Sequence, residues 1–332
     1  MAGILIIAES DHGHLLPEVG ELMTLGRQLR SATGEPLIVA GVGRDLDAWG
    51  QEVKESGADA AWLLTDVRLE DPWAEAYTAV FAEFCRDIQP SVVVLGKTVL
   101  GTEVAARLAA RLDGSAALNI TAINAAAGAL EVTRAVFGGA AQARFRMLRT
   151  PAVLVPHPKT WHPAEPVLDP IPTVMRYELH LPKDAVKSVL GERSATSQGP
   201  DIAQARVLVS GGRGLGGPKP FTLLQDIATL LGGQVSASRP PVDAGWISGQ
   251  RQVGLTGKTV APDLYLAIGI SGAIQHLAGC SNARTIVAVN NDPKAPIFQY
   301  ARFGVVGDWQ EILPAFREAL ECLAAEHLEA RP

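Results

Sequence analysis

The sequence is poor in cysteine, in aromatic residues and in clustered charge, and it contains no long apolar run. Three cysteines occur in 332 residues, Cys85, Cys280 and Cys322, widely spaced and without a C-x-x-C pair. They cannot all pair within one chain, which argues against a disulfide framework and suits a reducing compartment. The net charge is −6 and the basic residues are scattered. A nucleic-acid partner is therefore not expected, because backbone phosphates are met by clustered Lys and Arg. The opening MAGILIIAESDHG has only a short apolar run and no basic flank. That is too little for a signal peptide, a transit peptide or a membrane span, so a cytoplasmic location of the bacterial type is expected.

What is present is an apolar content of 47% against 19% charged residues, rich in alanine, valine and glycine. This is the balance of a soluble α/β protein of about two domains. The first half alternates short apolar runs with helical patterns: strand Gly3–Ala8, helix Pro17–Thr33, strand Pro36–Gly41, helix Leu46–Ser56, strand Ala60–Leu64, helix Trp73–Ile88, strand Ser91–Gly96 and helix Gly101–Leu112. Such alternation predicts βαβ units on a parallel sheet. Beyond Leu130 the pattern predicts strands Ala129–Ala135, Ala141–Leu148 and Ala152–Pro156 in hairpin-like succession, an antiparallel extension. Proline and small polar residues then thicken between Lys159 and Ile202, around a strand at Val174–Leu181. This reads as an interdomain connection, with a boundary near residue 195.

The second domain, residues 196–325 with a tail at 326–332, repeats the alternation. It has strand Ala205–Ser210, helix Phe221–Leu231, strands Gln234–Ala237 and Leu264–Ile268, helix Ala273–Ala278, strands Thr285–Val289 and Gly304–Gly307, and helix Trp309–Leu323. The expected fold class is therefore α/β, with two doubly wound Rossmann-like domains.

Strand Ala205–Ser210 runs into Gly211-Gly212-Arg213-Gly214-Leu215-Gly216-Gly217 ahead of a helix. Glycines there allow close backbone approach, and a helix N-terminus favours an anion. Gly212, Gly214 and Gly217 fit G-x-G-x-x-G, a dinucleotide fingerprint that is weak by itself and also compatible with a tight turn that holds no ligand. A P-loop is excluded, because Lys219 precedes Pro220 and not Ser or Thr. A nicotinamide site calls for an acidic residue about 20 positions on, where this chain has Ser238-Arg239. Arg239 suits an NADP 2′-phosphate instead, so an NADP-dependent oxidoreductase stays open, as does a regulatory adenine-nucleotide subunit. The run Leu264–His276 repeats the strand, glycine-serine turn, helix order, and Ser271 with Gly272 forms a second anion cradle. Two cradles suit a pyrophosphate extended on both sides.

The run Leu264–Asn290, LYLAIGISGAIQHLAGCSNARTIVAVN, resembles the signature of electron transfer flavoprotein α subunits, a family that includes nitrogen-fixation-linked and electron-bifurcating members. VSGGRGL at Val209–Leu215, SRPPVDAGW at Ser238–Trp246, TGKTVAP at Thr256–Pro262 and NNDPKAPIF at Asn290–Phe298 agree in order and spacing. The first domain is similar in layout, with LGKTVLGTEVAARLAARL near the expected place. The resemblance implies that FAD lies against the second domain with its ring toward a partner β subunit, which carries AMP or a second FAD. The first domain packs with that subunit.

Residue by residue, the resemblance implies that Arg213 and Ser271 contact the phosphates, while Gly269, Gly272 and Ala273 shape the turn. Asn290 and Asp308 serve the adenosine end. Arg239 lies against the flavin ring, Thr256 near N5, and His276 near N1 and O2, joined by Gln275. Gly214, Ser238, Gln252, Val253, Gly254, Leu255, Gly257 and Ile274 complete the expected lining. Charge accumulates over N1 and C2=O2 on reduction, so a guanidinium and an imidazole there favour the reduced and half-reduced forms. Arg239, Thr256 and His276 thus tune a carrier, and no catalytic residue or metal is assigned. The implied donor is a dehydrogenase of the acyl-CoA type and the implied acceptor a quinone reductase; bifurcating relatives take electrons from NADH. Leu255 departs from the pattern, standing where many members carry glutamine.

Other residues have plainer readings. His12 and His14 form one H-x-H without nearby ligands and read as loop. Glu9 and Asp11 follow the first strand and are expected to be solvated. Trp246 and Trp309 are expected to pack.

Overall fold

The computed structural model describes residues 3–69, 73–126, 128–137, 141–167, 171–180 and 201–329. The chain divides into two compact units, Met1–Ser194 and Ala195–Pro332, at a point outside the described residues.

Unit 1 contains β1 (Ile4–Ile7), a small hairpin of β2 (Ser10–Asp11) and β3 (His14–Leu15), α1 (Val19–Thr33), β4 (Leu37–Gly43), α2 (Asp47–Glu52), β5 (Ala60–Thr65) and α3 (Ala74–Ile88). There follow β6 (Val92–Leu95), α4 (Val99–Arg111), β7 (Ser115–Ala126), β8 (Ala129–Val136), β9 (Ala141–Met147), β10 (Ala152–Pro156) and β11 (Thr173–Tyr177). Its main sheet runs β11-β5-β4-β1-β6-β10-β7-β8-β9, parallel up to β7 and antiparallel through β8 and β9. Every residue of β1, β4, β6 and β10 is buried. Strands covered on both faces read as unbroken apolar runs, and these do. In β1, Ile4 and Ile6 face the core that holds Leu22, Leu25 and Leu29 of α1, whereas Leu5 and Ile7 face Phe81, Phe84, Val104 and Leu108 of α3 and α4. Period-two alternation thus feeds two helical layers.

Two expectations are corrected here. Ala152–Pro156 does not extend a hairpin; it sits between β6 and β7, parallel to both. The antiparallel pairs are β7–β8 and β8–β9, and β7, twelve residues long, was not anticipated. The strand expected at Val174–Leu181 is observed as β11, beside β5, and Leu181 lies outside the described residues.

Unit 2 contains β12 (Val207–Gly211), α5 (Pro220–Leu230), β13 (Gln234–Ala237), α6 (Arg239–Asp243), β14 (Leu264–Ile268), α7 (Ile274–Leu277), β15 (Ile286–Asn290), β16 (Phe303–Val306) and α8 (Trp309–Glu329). Its five strands are all parallel in the order β13-β12-β14-β15-β16. The chain moves outward from β12 in one direction to β13 and in the other to β14, so the switch point lies between the carboxyl ends of β12 and β14. Open α/β sheets take their ligands in that crevice. Among the described residues no helix is long and apolar enough to cross a membrane.

Here too the local geometry departs from expectation. The glycine-rich turn after β12 enters a 3₁₀ turn, Arg213–Leu215, and α5 starts only at Pro220. The helix after β14 is a single turn of four residues. Helix dipoles therefore supply less at both turns than the strand-turn-helix reading implied. At the other end, α8 continues to Glu329, into the expected tail.

Candidate functional site

The turns that follow β12 and β14 are packed backbone against backbone. Gly212 N–H donates to the Ile268 carbonyl at 2.8 Å, and Gly214 N–H to the Gly269 carbonyl at 3.0 Å. A Cβ on Gly212 would collide with the Gly269 carbonyl, and one on Gly214 would lie 2.9 Å from Gly269 Cα. Gly217, the third position of the fingerprint, has open space around it. The glycines thus serve the contact between two loops, and the G-x-G-x-x-G match is incidental to its usual geometry.

Between these loops, the start of α6 and the segment Gln252–Thr256 lies a cleft of about 630 Å³. Of the residues expected to hold a ligand, it gathers Arg213, Gly214, Ser238, Arg239, Gln252, Val253, Gly254, Leu255, Thr256, Gly269, Ser271, Ala273, Gln275, His276 and Asn290. Pro240, Ile270, Asp292 and Ala295 line it as well. None was singled out from the sequence, although Pro240 falls inside the SRPPVDAGW run, Ile270 inside Leu264–Asn290, and Asp292 and Ala295 inside NNDPKAPIF. Asp308 lies apart from that group, lining a smaller adjoining cavity of about 190 Å³ that shares Gly214, Gly269 and Asn290. Gly257, Gly272 and Ile274 line neither cavity. Gly272, at φ 84°, lies where a Cβ would strike the Ile297 backbone nitrogen. Its role is to let the turn pass the 3₁₀ segment Pro296–Gln299.

Hydrogen bonds fix several of these side chains. The Gln252 amide Nε2 donates to Thr256 Oγ1 at 3.0 Å. With its oxygen accepting, the threonine hydroxyl keeps its single proton for another acceptor. Asn290 braces the loops: Nδ2 donates to the Ile270 carbonyl at 2.9 Å, and Oδ1 accepts from Asp292 N–H at 2.9 Å. Asp308 caps the start of α8, where its Oδ1 accepts from Gln310 N–H at 2.9 Å. Arg213 and Ser271 are exposed at the mouth. Arg239 opens the short helix α6, with Pro240 and Pro241 completing its first turn, and its Nε donates to Asp243 Oδ2 at 3.1 Å. Its side chain is 64% exposed, so the guanidinium remains available to the cleft.

His276 differs most from expectation. It is buried, with Nδ1 3.1 Å from the Val253 carbonyl and Nε2 3.0 Å from the Tyr265 hydroxyl. Burial pushes its pKa down from 6.5 to about 4, against a smaller opposing effect of the Val253 carbonyl. Burial thus holds the imidazole neutral at physiological pH in this structure. Arg213 and Arg239 are the cationic side chains lining the cleft. Cys280 lies below, its thiol pushed up to about 12 by burial, which makes it an inert core residue. Trp246 and Trp309 pack on the apolar core of this unit, and Trp309 Nε1 donates to the Gly214 carbonyl at 3.1 Å.

In unit 1 the corresponding switch point lies between the carboxyl ends of β1 and β6. Glu9 is there, and it is buried, not solvated as expected. Both carboxyl oxygens lie 2.8 Å from the hydroxyl of Thr98, which caps α4 by accepting from Gly101 N–H at 2.7 Å. Burial raises the Glu9 pKa from 4.5 to about 7, with Thr98 opposing and Glu18 adding to the rise. His14 is paired with Glu52, Nδ1 to Oε1, at 2.6 Å.

A parallel five-stranded unit with its cleft at the switch point defines a nucleotide-cofactor domain of the doubly wound class. Comparison with known proteins gives the family. Residues 201–281 match the electron transfer flavoprotein FAD-binding domain, and residues 4–178 match the electron transfer flavoprotein domain. The chain is 34% identical to the electron transfer flavoprotein subunit alpha of Thermoanaerobacterium thermosaccharolyticum, over 96% of its own length and 98% of the relative's. It is 34% identical to the protein FixB of Azorhizobium caulinodans, over 99% and 91%. With the Bacillus subtilis electron transfer flavoprotein subunit alpha it shares 33% identity, over 96% and 98%. This chain belongs to the electron transfer flavoprotein α subunit family. Its cofactor is FAD, and the matched FAD-binding domain contains the cleft residues from Arg213 to His276.

Proposed function

We propose that this chain is the α half of a heterodimeric electron carrier, with residues 196–325 holding FAD and residues 1–195 packing against an electron transfer flavoprotein β subunit that binds AMP or a second FAD. In this reading it carries electrons and acts on no substrate of its own. They come from dehydrogenases of the acyl-CoA type and pass toward a quinone reductase, in the cytoplasm. The observation that carries the reading is the convergence of Arg213, Arg239, Thr256 and Ser271 on one cleft in the matched domain.

The cleft suits the cofactor in size, since small-molecule and cofactor sites run from about 300 to 1,000 Å³. It also suits it in chemistry. Exposed Arg213 and Ser271 offer cationic and hydroxyl contacts for phosphate oxygens at the mouth. The bound flavin supplies electron uptake and release. Thr256, with its oxygen engaged by Gln252, offers a proton to an acceptor nitrogen of the ring. Arg239 is the positive charge available to offset the negative charge of reduction, and its exposed pairing with Asp243 is weak enough to exchange. His276 contributes position and not charge. Asn290 and Asp308 hold their loops at the end assigned to adenosine.

Co-production with a β subunit, followed by an absorption spectrum during stepwise reduction, tests this. A yellow complex with one FAD per α chain at the cleft is expected, and a colourless complex refutes it. A second reading, an electron-bifurcating subunit fed by NADH, follows from the bifurcating members that the resemblance to the family brings with it. Oxidation of NADH by the complex separates the two.

A further inference from the structure

Behind the cleft, a line of buried polar groups connects the sheet to the loop that carries Thr256. Tyr265, on β14, is fully buried, and its hydroxyl lies 2.8 Å from Ser210 Oγ on β12 and 3.0 Å from His276 Nε2. Register pairs Leu208 with Tyr265 and Ser210 with Ala267, so the serine and the tyrosine share one face of the sheet. On the far side of the imidazole, Nδ1 meets the Val253 carbonyl at 3.1 Å. Ser210 is also fully buried, and none of these groups has bulk water for a substitute partner.

The proton order along this line follows from what each group can do. The Val253 carbonyl only accepts, so Nδ1 carries the hydrogen. A neutral imidazole then has an acceptor at Nε2, which takes the proton of the Tyr265 hydroxyl. The tyrosine oxygen is left to accept from the Ser210 hydroxyl, and Ser236 and the Cys280 thiol also reach it. The chain of donors runs from Ser210 through Tyr265, and His276 then donates to Val253. Its last acceptor precedes Gly254, Leu255 and Thr256, and Leu255 N–H is tied to the Gln275 carbonyl at 2.7 Å. The Gln252–Thr256 segment is thus tethered to α7 twice, once by backbone and once through the histidine ring.

We propose that Tyr265 is a positioning residue for the flavin site: its hydroxyl donates to Nε2 of His276 and holds the ring whose tautomer the Val253 carbonyl sets, and the histidine in turn fixes the loop that presents Thr256. This rests on the reading of the cleft as the FAD site, and it assigns His276 the part of a neutral strut. Tyr265 does not line the cleft, so its effect on the cofactor is transmitted through His276.

The test uses the full chain, labelled with ¹⁵N-histidine, with and without FAD and a co-produced β subunit. In the wild-type chain without cofactor, the His276 ring is expected to show Nδ1 protonated and Nε2 as a hydrogen-bonded acceptor at pH 7. Tyr265→Phe should move the Nε2 resonance toward that of an unbonded acceptor. In the loaded complex it should shift the flavin midpoint potential and weaken FAD about three- to tenfold, the scale of one buried hydrogen bond. Should Tyr265→Phe fail to fold, Ser210→Ala removes the donor one step back, and a smaller change of the same Nε2 resonance is expected. The inference is overturned by an Nε2-protonated ring in the wild-type chain. It is equally overturned by a Tyr265→Phe complex whose Nε2 resonance and potential match the wild type. Failure of the wild-type complex to hold FAD contradicts the cleft reading instead, and the ring spectrum without cofactor still judges the tautomer.

Discussion

Gln252 and Thr256 are joined side chain to side chain, amide Nε2 to hydroxyl Oγ1 at 3.0 Å, across the turn closed by Gly257 N–H on the Gly254 carbonyl. The bond orients a hydroxyl proton that is otherwise free to rotate. Replacing Gln252 by leucine should leave the cleft in place but the hydroxyl unaligned. FAD should bind about three- to tenfold more weakly, a loss of about 1 kcal/mol. A double-mutant cycle with Thr256→Val, read by flavin fluorescence on titration, should show strong coupling between the two changes. Additive effects would mean that the pair does not act as a unit.

Glu9 and His276 give the two units opposite responses to pH. The Glu9 carboxyl has a folded pKa of about 7, above its ordinary 4.5. Between those values the folded state holds more protons than the unfolded one, so stability is full below 4.5 and is lost as pH rises through 7. Glu9→Gln keeps the polar contact to Thr98 without the buried charge. It should stabilise unit 1 at pH 8 by about 2–3 kcal/mol and flatten the slope. Denaturant unfolding of both proteins from pH 5 to 8 checks this, and parallel curves would contradict it.

In unit 2 the sign reverses. His276 has a folded pKa of about 4, below its ordinary 6.5, so its contribution is present above 6.5 and is lost as pH falls through 4. Amide exchange at β12 and β14 should become faster from pH 6.5 to 4, after correction for the intrinsic rate. His276→Asn should remove most of that acid dependence. An unchanged acid dependence in the variant would assign it elsewhere.

Trp49 is fully buried, and its Nε1 donates to the Ala8 carbonyl at 3.1 Å, where the chain leaves β1. Gly41 makes room for it, since a Cβ there would approach the indole ring to 2.5 Å. Trp49→Ala should cost unit 1 about 3–5 kcal/mol, measured as a lowered urea midpoint. Gly41→Ala should also destabilise, by overpacking.

Much of this was legible in the chain. The unbroken apolar runs that became β1, β4 and β6, and the ordered motifs from Val209 to Phe298, predicted two parallel sheets and a ligand at the second. β7 escaped because SAALNITAINAA is alanine-rich and weak in strand propensity; pairing with β10 and β8 holds it. For β10 the continuous run AVLVP did carry the mark of a parallel buried strand, but its place after two hairpin strands suggested otherwise. Glu9 looked solvated because a carboxylate after a strand usually is; the segment around Gly96, Thr98 and Gly101, about 90 residues away in sequence, packs against it. The same limit applies to His276. Its position in the motif was legible, but its neutrality comes from burial, which only the folded surroundings of the ring supply.

The most direct measurement is FAD content and affinity of the complex co-produced with a β subunit, for wild type and for Arg213→Ala and Ser271→Ala, which alter exposed groups at the mouth of the cleft. One FAD per α chain is expected, retained through gel filtration, with each substitution weakening binding by about tenfold or more, as for hydrogen bonds to a charged group. A colourless complex, or FAD held equally well by all three proteins, would contradict the assignment of this cleft to the flavin.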